Sequence, residues 1–410
     1  MAASVESLHD VLRFGGLRSV YQPIVDLDGG GVVGFEALIR GPAGSGLERP
    51  EQLFAAAKQA ELVNELDWEC RATALQGALD FGLGTSIPLF INVEPAALST
   101  PRPSRMDAVF EAAQERLNVF VEFTERSLLA DPALVLTSLA RVRSLGFGVA
   151  LDDVGADPAS LALLPFMEPD VIKLDLHLVQ QHADREIAAI VTAVRADVER
   201  RGALILAEGI ETDVHLDRAR VCGATLGQGW MFGRPAPLQR VERVAATHIG
   251  HTCATSTPLT PWELVADWPT RRTTSKELLI PMSHHLEQYG LGQTEPTVLI
   301  SAFQHGRHFT RATAARYGRM VGSCTLIGAV ARDLDITVPG VIQGGIAAGH
   351  PLEREWTVTV VGPHYAGALI ARERPGQGLD SDQIFDYVIT HDRAVVTAAA
   401  RSLMQYLQPS

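Results

Sequence analysis

Short apolar runs recur along the first 246 residues, and a polar or charged residue stands near or just past the end of most of them. The runs are Ser19–Val25, Val32–Ile39, Leu89–Val93, Val119–Phe123, Gly148–Leu151, Val171–Leu174, Ala203–Ala207 and Thr225–Gly227. Amphipathic segments such as Pro50–Ala60, Pro132–Leu145 and Arg185–Arg201 lie between them. Strands alternating with helices argue for a mostly parallel sheet. Eight such runs in about 240 residues fit a TIM-like (β/α)8 barrel. The first two runs are separated only by Asp26–Gly31, a link that suits an antiparallel hairpin and cannot hold a crossover helix. The expected architecture is therefore α/β: a TIM-like barrel with one antiparallel strand.

The chain has 410 residues, enough for two or three domains. Residues 1–246 form the barrel in this reading. Residues 247–272 are rich in Thr, Pro and Trp and read as a linker, and 273–410 read as a smaller mixed α+β domain. A helix is expected over about 275–288, with Thr274 and Glu277 at capping-box spacing and Pro281 inside it. Another is expected over about Asp392–Leu407. The net charge of −13 gives no basic field, so polymeric nucleic acid is excluded as a general partner. No run reaches the ~18 apolar residues that a membrane span needs. Met1–Val20 lacks a basic segment followed by an apolar core, so no secretory leader is expected. Scattered Cys70, Cys222, Cys253 and Cys324 read as reduced thiols of a cytoplasmic protein.

In the barrel reading Glu36, Asn92, Glu122, Asp152, Asp153, Lys173, Asp175, Glu208, Glu211 and Gln228 fall at or near the C-terminal ends of strands. Chemistry in such barrels gathers at that face. Any one of these acids alone is explained as a helix cap. Their recurrence on successive strands is not, and neither is Glu36 inside the apolar run Phe35-Glu-Ala-Leu38. Five or more converging carboxylates require positive charge among them. An oxygen-rich set suits Mg²⁺ or Mn²⁺. The pair Asp152-Asp153 can hold two ions with one aspartate bridging, the arrangement that clamps both oxygens of a phosphoryl displacement.

In order along the chain come Tyr21-Gln-Pro-Ile24, Glu36-Ala-Leu38 with Arg40, Asn92, Glu122-Phe-Thr-Glu125, Asp152-Asp153, Lys173-Leu-Asp175, Glu208-Gly-Ile-Glu211 and Gln228-Gly-Trp230, then Phe232 and Pro235. With these motifs residues 5–246 resemble the EAL family of cyclic di-GMP phosphodiesterases. The resemblance implies hydrolysis of cyclic di-GMP to linear pGpG with two divalent metal ions, and a homodimer. It implies that Glu36, Asn92, Glu122 and Asp152 hold the first metal, that Asp152 bridges, and that Asp153 completes the second site. Glu208 is similar to the water-directed acid, acting as base or metal partner. Lys173 is similar to the lysine that orients the attacking water. Gln22 and Arg40 match substrate contacts to guanine and phosphate, Asp175 and Gln228 match water-holding groups, and Glu125 and Glu211 match residues supporting the loop after Asp153.

That loop departs from the family pattern. In place of Phe-Gly-Thr-Gly-Tyr-Ser-Ser it reads Val154-Gly-Ala-Asp-Pro-Ala-Ser160. The alternative expectation is a weakly active or inactive EAL domain serving as a cyclic di-GMP receptor. Residues 273–410 resemble the DICT sensory domain at Phe303-Gln304, Glu353-Arg-Glu-Trp356, Ala368-Leu-Ile-Ala-Arg-Glu373, Phe385 and Asp392. This implies a regulatory unit with a ligand that the sequence does not identify.

Overall fold

The computed structural model describes residues 7–182, 184–241, 243–245, 247, 249–251, 260–289, 295–375 and 383–408, the side chain of Glu125 excepted. Eight strands close a barrel in chain order: β1 (Arg18–Asp26), β2 (Val32–Arg40), β3 (Leu89–Asn92), β4 (Val119–Thr124), β5 (Gly148–Val154), β6 (Val171–Leu174), β7 (Leu204–Ala207) and β8 (Leu226–Gly227). β1 runs antiparallel to both β2 and β8, and the other neighbours are parallel. The reversal follows from the six residues after Val25. Asp26 Oδ1 accepts from the amides of Asp28 and Gly29, both at 2.8 Å, and Gly30 takes φ +74°, so the chain turns back at once.

Ile24, Val33, Phe90, Phe120, Ala150, Val171, Leu206 and Leu226 form the core inside the barrel, together with Ile249 from beyond the last strand. The Phe90 and Phe120 rings stack with centroids 4.9 Å apart. The barrel is thus a packed body, and polar side chains of the strands are left to its upper rim.

The second unit is a seven-stranded mixed sheet. Its strands are β9 (Arg272–Ser275), β10 (Val298–His305), β11 (Leu326–Arg332), β12 (Ile342–Gly345), β13 (Glu355–Val361), β14 (Ala366–Glu373) and β15 (Ile384–Thr390), in the spatial order β12-β11-β10-β13-β14-β15-β9. Alternation on β10 splits the sheet into two apolar faces. Leu299 and Phe303 pack under the helices Lys276–Tyr289 and Arg311–Met320, while Val298, Ile300 and Ala302 join the helix Arg393–Met404. That last helix, expected over about Asp392–Leu407, spans Arg393–Met404 and is capped by Asp392, whose side chain accepts from the amide of Val395. The expected cap at Thr274 is not formed. Thr274 lies in β9 opposite Phe385, so pairing with β15 takes the backbone that a cap would need.

The helix Arg393–Met404 also packs on the barrel helices Pro132–Ser144 and Leu164–Met167, and one continuous apolar core runs from the barrel's outer shell through Val396, Leu403 and Leu407. Arg401 pairs with Glu168, and Thr325 Oγ1 donates to the Ala159 carbonyl at 2.6 Å. Inside the segment expected as a linker, Pro261–Leu264 forms a short 3-10 turn against the same helix, with Trp262 buried. Among the described residues no helix is long and apolar enough to cross a membrane.

Candidate active site

Side chains on a strand share a face every second residue, and this spacing builds the site. Two positions beyond the inner plug residues Phe90, Phe120, Ala150, Val171, Leu206 and Leu226 stand Asn92, Glu122, Asp152, Lys173, Glu208 and Gln228. On the reversed β1, Gln22 lies two positions before Ile24. On β2, Glu36 pairs with Gln22 in register and follows Gly34, where a Cβ would press on Pro88 and the Phe90 ring. The packed floor therefore lifts eight polar side chains to one rim.

Four of them converge on Lys173. Its Nζ, fully buried, lies 2.8 Å from Glu122 Oε1, 2.8 Å from Glu208 Oε1, 2.9 Å from Asp152 Oδ1 and 3.5 Å from Glu36 Oε1. Gln228 Nε2 donates to Glu36 Oε2 at 2.6 Å and to Gln22 Oε1 at 3.2 Å, and Asn92 Nδ2 donates to Glu36 Oε1 at 3.3 Å. Burial alone would disfavour the ammonium, but the surrounding carboxylates, Asp152 foremost, hold Lys173 well above its usual range. Burial also opposes ionisation of Glu36. Lys173 and the amides of Gln228 and Asn92 outweigh it and keep that carboxyl below its usual range. Glu122 has no such amides, and burial drives it well above the usual range against the pull of Lys173. Burial likewise lifts Glu208, to about 8, and raises Asp153, which also faces the charge of Asp152.

Asp152 and Asp153 owe their placement to a bulge. The β5–β6 register shifts between Leu151 and Val154, and Asp153 takes φ +58°, a left-handed conformation uncommon for a residue with a side chain. Carboxylate oxygens of Asp152, Asp153 and Glu208 come within 4.8 Å of one another. Both Glu122 oxygens and Asp152 Oδ1 are buried without a hydrogen bond among the described residues, although Lys173 is within ion-pair distance of each residue. Hard oxygen donors, buried, converging and short of hydrogen bonds, fit a divalent cation.

The other expected residues are more dispersed. Arg40 ends β2, half-buried, with Nη1 donating to the Ile39 carbonyl at 2.7 Å. Gln22 Nε2 donates to the Gly233 carbonyl at 3.1 Å. Asp175 caps the helix Leu176–Gln180 and accepts from the amide of His177 at 2.9 Å, its Oδ1 lying 2.6 Å from His177 Nδ1. Glu211 is exposed, its amide donates to His215 Nδ1 at 3.3 Å, and among the described residues its side chain makes no hydrogen bond or ion pair. The side chain of Glu125 lies outside the described residues. In that loop Asp157 caps a 3-10 helix, Pro158–Leu163.

Sequence reasoning missed Asp67 and Arg71. They form a buried ion pair of 2.6 Å, one turn apart in the helix Val63–Phe81, and Asp67 Oδ1 accepts from the amide of Glu94 at 2.9 Å, bracing the chain just past Asn92. Two opposite charges four residues apart on an otherwise apolar helix face were the available signal. Beside them a cleft of about 300 Å³ opens next to Asn92 and Glu122, with Leu38, Ile39 and Phe54 in its walls.

The family model of the EAL domain matches residues 5–235, and that of the "Sensory domain in DIguanylate Cyclases and Two-component system" matches residues 263–374. The cyclic di-GMP phosphodiesterase RocR of Pseudomonas aeruginosa is 33% identical over 245 residues, covering 58% of this chain and 62% of RocR. The cyclic di-GMP phosphodiesterase NbdA of the same organism is 30% identical over 247 residues, covering 58% of this chain and 31% of NbdA. The chain thus spans less than two thirds of either relative. The solved Xanthomonas citri FimX EAL domain in complex with c-diGMP aligns over 58% of this chain and 95% of its own, with a TM-score of 0.50 and 23% identity, a likeness of fold. Klebsiella pneumoniae BlrP1 in its calcium/cy-diGMP complex aligns over 56% of this chain and 58% of its own, with a TM-score of 0.49 and 32% identity.

Proposed function

The chain belongs to the EAL domain family, and on that premise we propose that it is a phosphodiesterase opening one phosphodiester of cyclic di-GMP to give linear pGpG. The observation that carries the reading is the convergence of Glu36, Glu122, Asp152 and Glu208 on the buried ammonium of Lys173. Two divalent cations, Mg²⁺ or Mn²⁺, held by Glu36, Asn92, Glu122, Asp152, Asp153 and Glu208, would supply Lewis-acid polarisation of the phosphate and acidify a water.

The protein's own groups divide the remaining work. Glu208, about one-fifth exposed at its side chain, is open enough to take a proton from a water at the rim, and Lys173 holds its Oε1 in place. Gln228 fixes the orientation of both Glu36 and Gln22 through one amide nitrogen. Gln22 and Arg40 flank the rim from β1 and β2 and would contact a guanine edge and a phosphate. Asp175 holds the first turn of the helix after β6, next to Asp153.

The assay is incubation of the full chain with cyclic di-GMP and Mg²⁺ or Mn²⁺, with products separated by chromatography. Linear pGpG is expected, and it should disappear with chelator and in Glu36→Ala and Asp152→Ala while their melting profiles stay cooperative. Absence of product with either metal would leave a cyclic di-GMP receptor. The feature favouring that second reading is the loop Val154–Ser160, whose Ala159 is engaged by Thr325 of the second unit.

A further inference from the structure

We propose that the second unit carries a binding site for a small planar aromatic carboxylate, in the cavity between the helix Lys276–Tyr289 and the bulge of β10. This site lies away from the barrel and does not rest on the proposed hydrolysis.

The cavity measures about 290 Å³, at the low end of the range for small-molecule sites, and suits a ligand of one or two rings. Three features mark it as built for an occupant. The first is the backbone. The β10–β11 register shifts between Ala302 and His305, and within this bulge Gln304 takes φ +62° while almost wholly buried. Bulges and left-handed residues with side chains cost stability and cluster where a side chain must be aimed. Here both residues of the bulge, Phe303 and Gln304, line the cavity.

The second feature is the floor. Glu287, 1% exposed, is paired with Arg316, and Tyr317 Oη donates to Ser301 Oγ at 2.6 Å beside it. A buried ion pair contributes little to stability in place of apolar packing, so its presence under a cavity gives a polar floor whose charges already cancel. No carboxylate is left there to attract a cation.

The third feature is the rim. The lining holds three cations, Lys276, Arg307 and Arg316, against the one carboxylate Glu287, a local reversal in a chain of net charge −13. Arg307 makes no ion pair among the described residues. A single unpaired guanidinium fork matches one carboxylate in two parallel hydrogen bonds. Phe303 and the half-buried Trp356 supply the apolar wall on which a flat ring packs. Ser283, Thr310 and Thr313 add hydroxyls without charge.

The test uses the full chain and 2-naphthoate as probe in isothermal titration, with neutral 2-naphthamide as the control of equal shape. Saturable binding of naphthoate is expected. It should weaken by about 10-fold or more in Arg307→Gln and for the amide on the unaltered chain, as the loss of a charge-assisted pair requires. Arg307 is exposed, so the variant should melt with the unaltered protein. No saturable binding up to ~5 mM naphthoate overturns the proposal. Equal affinity of the variant, or equal affinity for the amide, overturns it as well.

Discussion

Lys173 Nζ lies 2.8 Å from Glu122 Oε1, and both side chains are closed to solvent. One ammonium here serves four carboxyl groups, two of which, Glu122 and Glu208, burial lifts above their usual range. Lys173→Met keeps the volume and removes the charge. In chelator it is expected to lower stability by about 3–5 kcal/mol, the cost of stranding buried carboxylates. Mn²⁺ should restore part of that loss. Melting curves with and without metal measure both, and an identical deficit in the two conditions would contradict the role given to Lys173.

Asp153 holds a left-handed backbone at the end of β5. Asparagine tolerates that conformation and a β-branched residue does not. Asp153→Asn is expected to melt with the parent and lose most pGpG formation. Asp153→Val should lose the same activity and a further ~1–3 kcal/mol of stability. Paired melts and product assays separate the two effects.

Glu355 is buried where β13 meets the turn Pro261–Leu264 and accepts from the amide of Trp262 at 3.1 Å. Burial lifts its carboxyl from 4.5 to about 7. The folded chain therefore holds this proton more tightly than the unfolded chain. The resulting stabilisation is complete below about pH 4.5 and is lost as pH rises through about 7. Glu355→Gln should remove that component of the pH dependence and be more stable than the parent above neutrality, by roughly 3 kcal/mol at most. Denaturant midpoints across pH 5–8 read the difference, and parallel curves for the two proteins would refute it.

The helix Arg393–Met404 covers apolar surface of two barrel helices. A chain ending near residue 250 exposes that surface. It is expected to bind a hydrophobic dye and to melt below the full chain. Leu403→Ala in the full chain should cost about 2–5 kcal/mol, whereas Arg401→Ala should cost less than about 1 kcal/mol, since the Glu168 side chain is 42% exposed. A truncated chain as stable and as dye-silent as the parent would show that the second unit is not part of the barrel's core.

Much of this was legible in the residues. The eight barrel strands were readable because each is a short apolar run bounded by helical periodicity, and the reversed β1 because six residues cannot hold a crossover. The rim residues Asn92, Glu122, Asp152, Lys173, Glu208 and Gln228 were readable because a charged or amide side chain recurs at the end of successive apolar strands, which packing does not explain. β9, β12 and β15 were not: Arg272–Ser275 and Ile342–Gly345 have no apolar alternation and become strands only through the partners beside them. Thr274 likewise reads locally as a cap and is claimed by β15.

What the sequence by itself determined is the alternation of strand and helix, the position of each acid along its strand and the hairpin that reverses β1. Only the tertiary structure decided that four carboxylates meet at one lysine, that Asp67 and Arg71 brace the chain beside Asn92, and that the last helix joins the two units through a shared core. Strand period and turn chemistry are local, set by neighbours a few residues apart. Distances across a closed barrel or between two docked units depend on which distant surfaces exclude water together, and no short window of sequence contains that information.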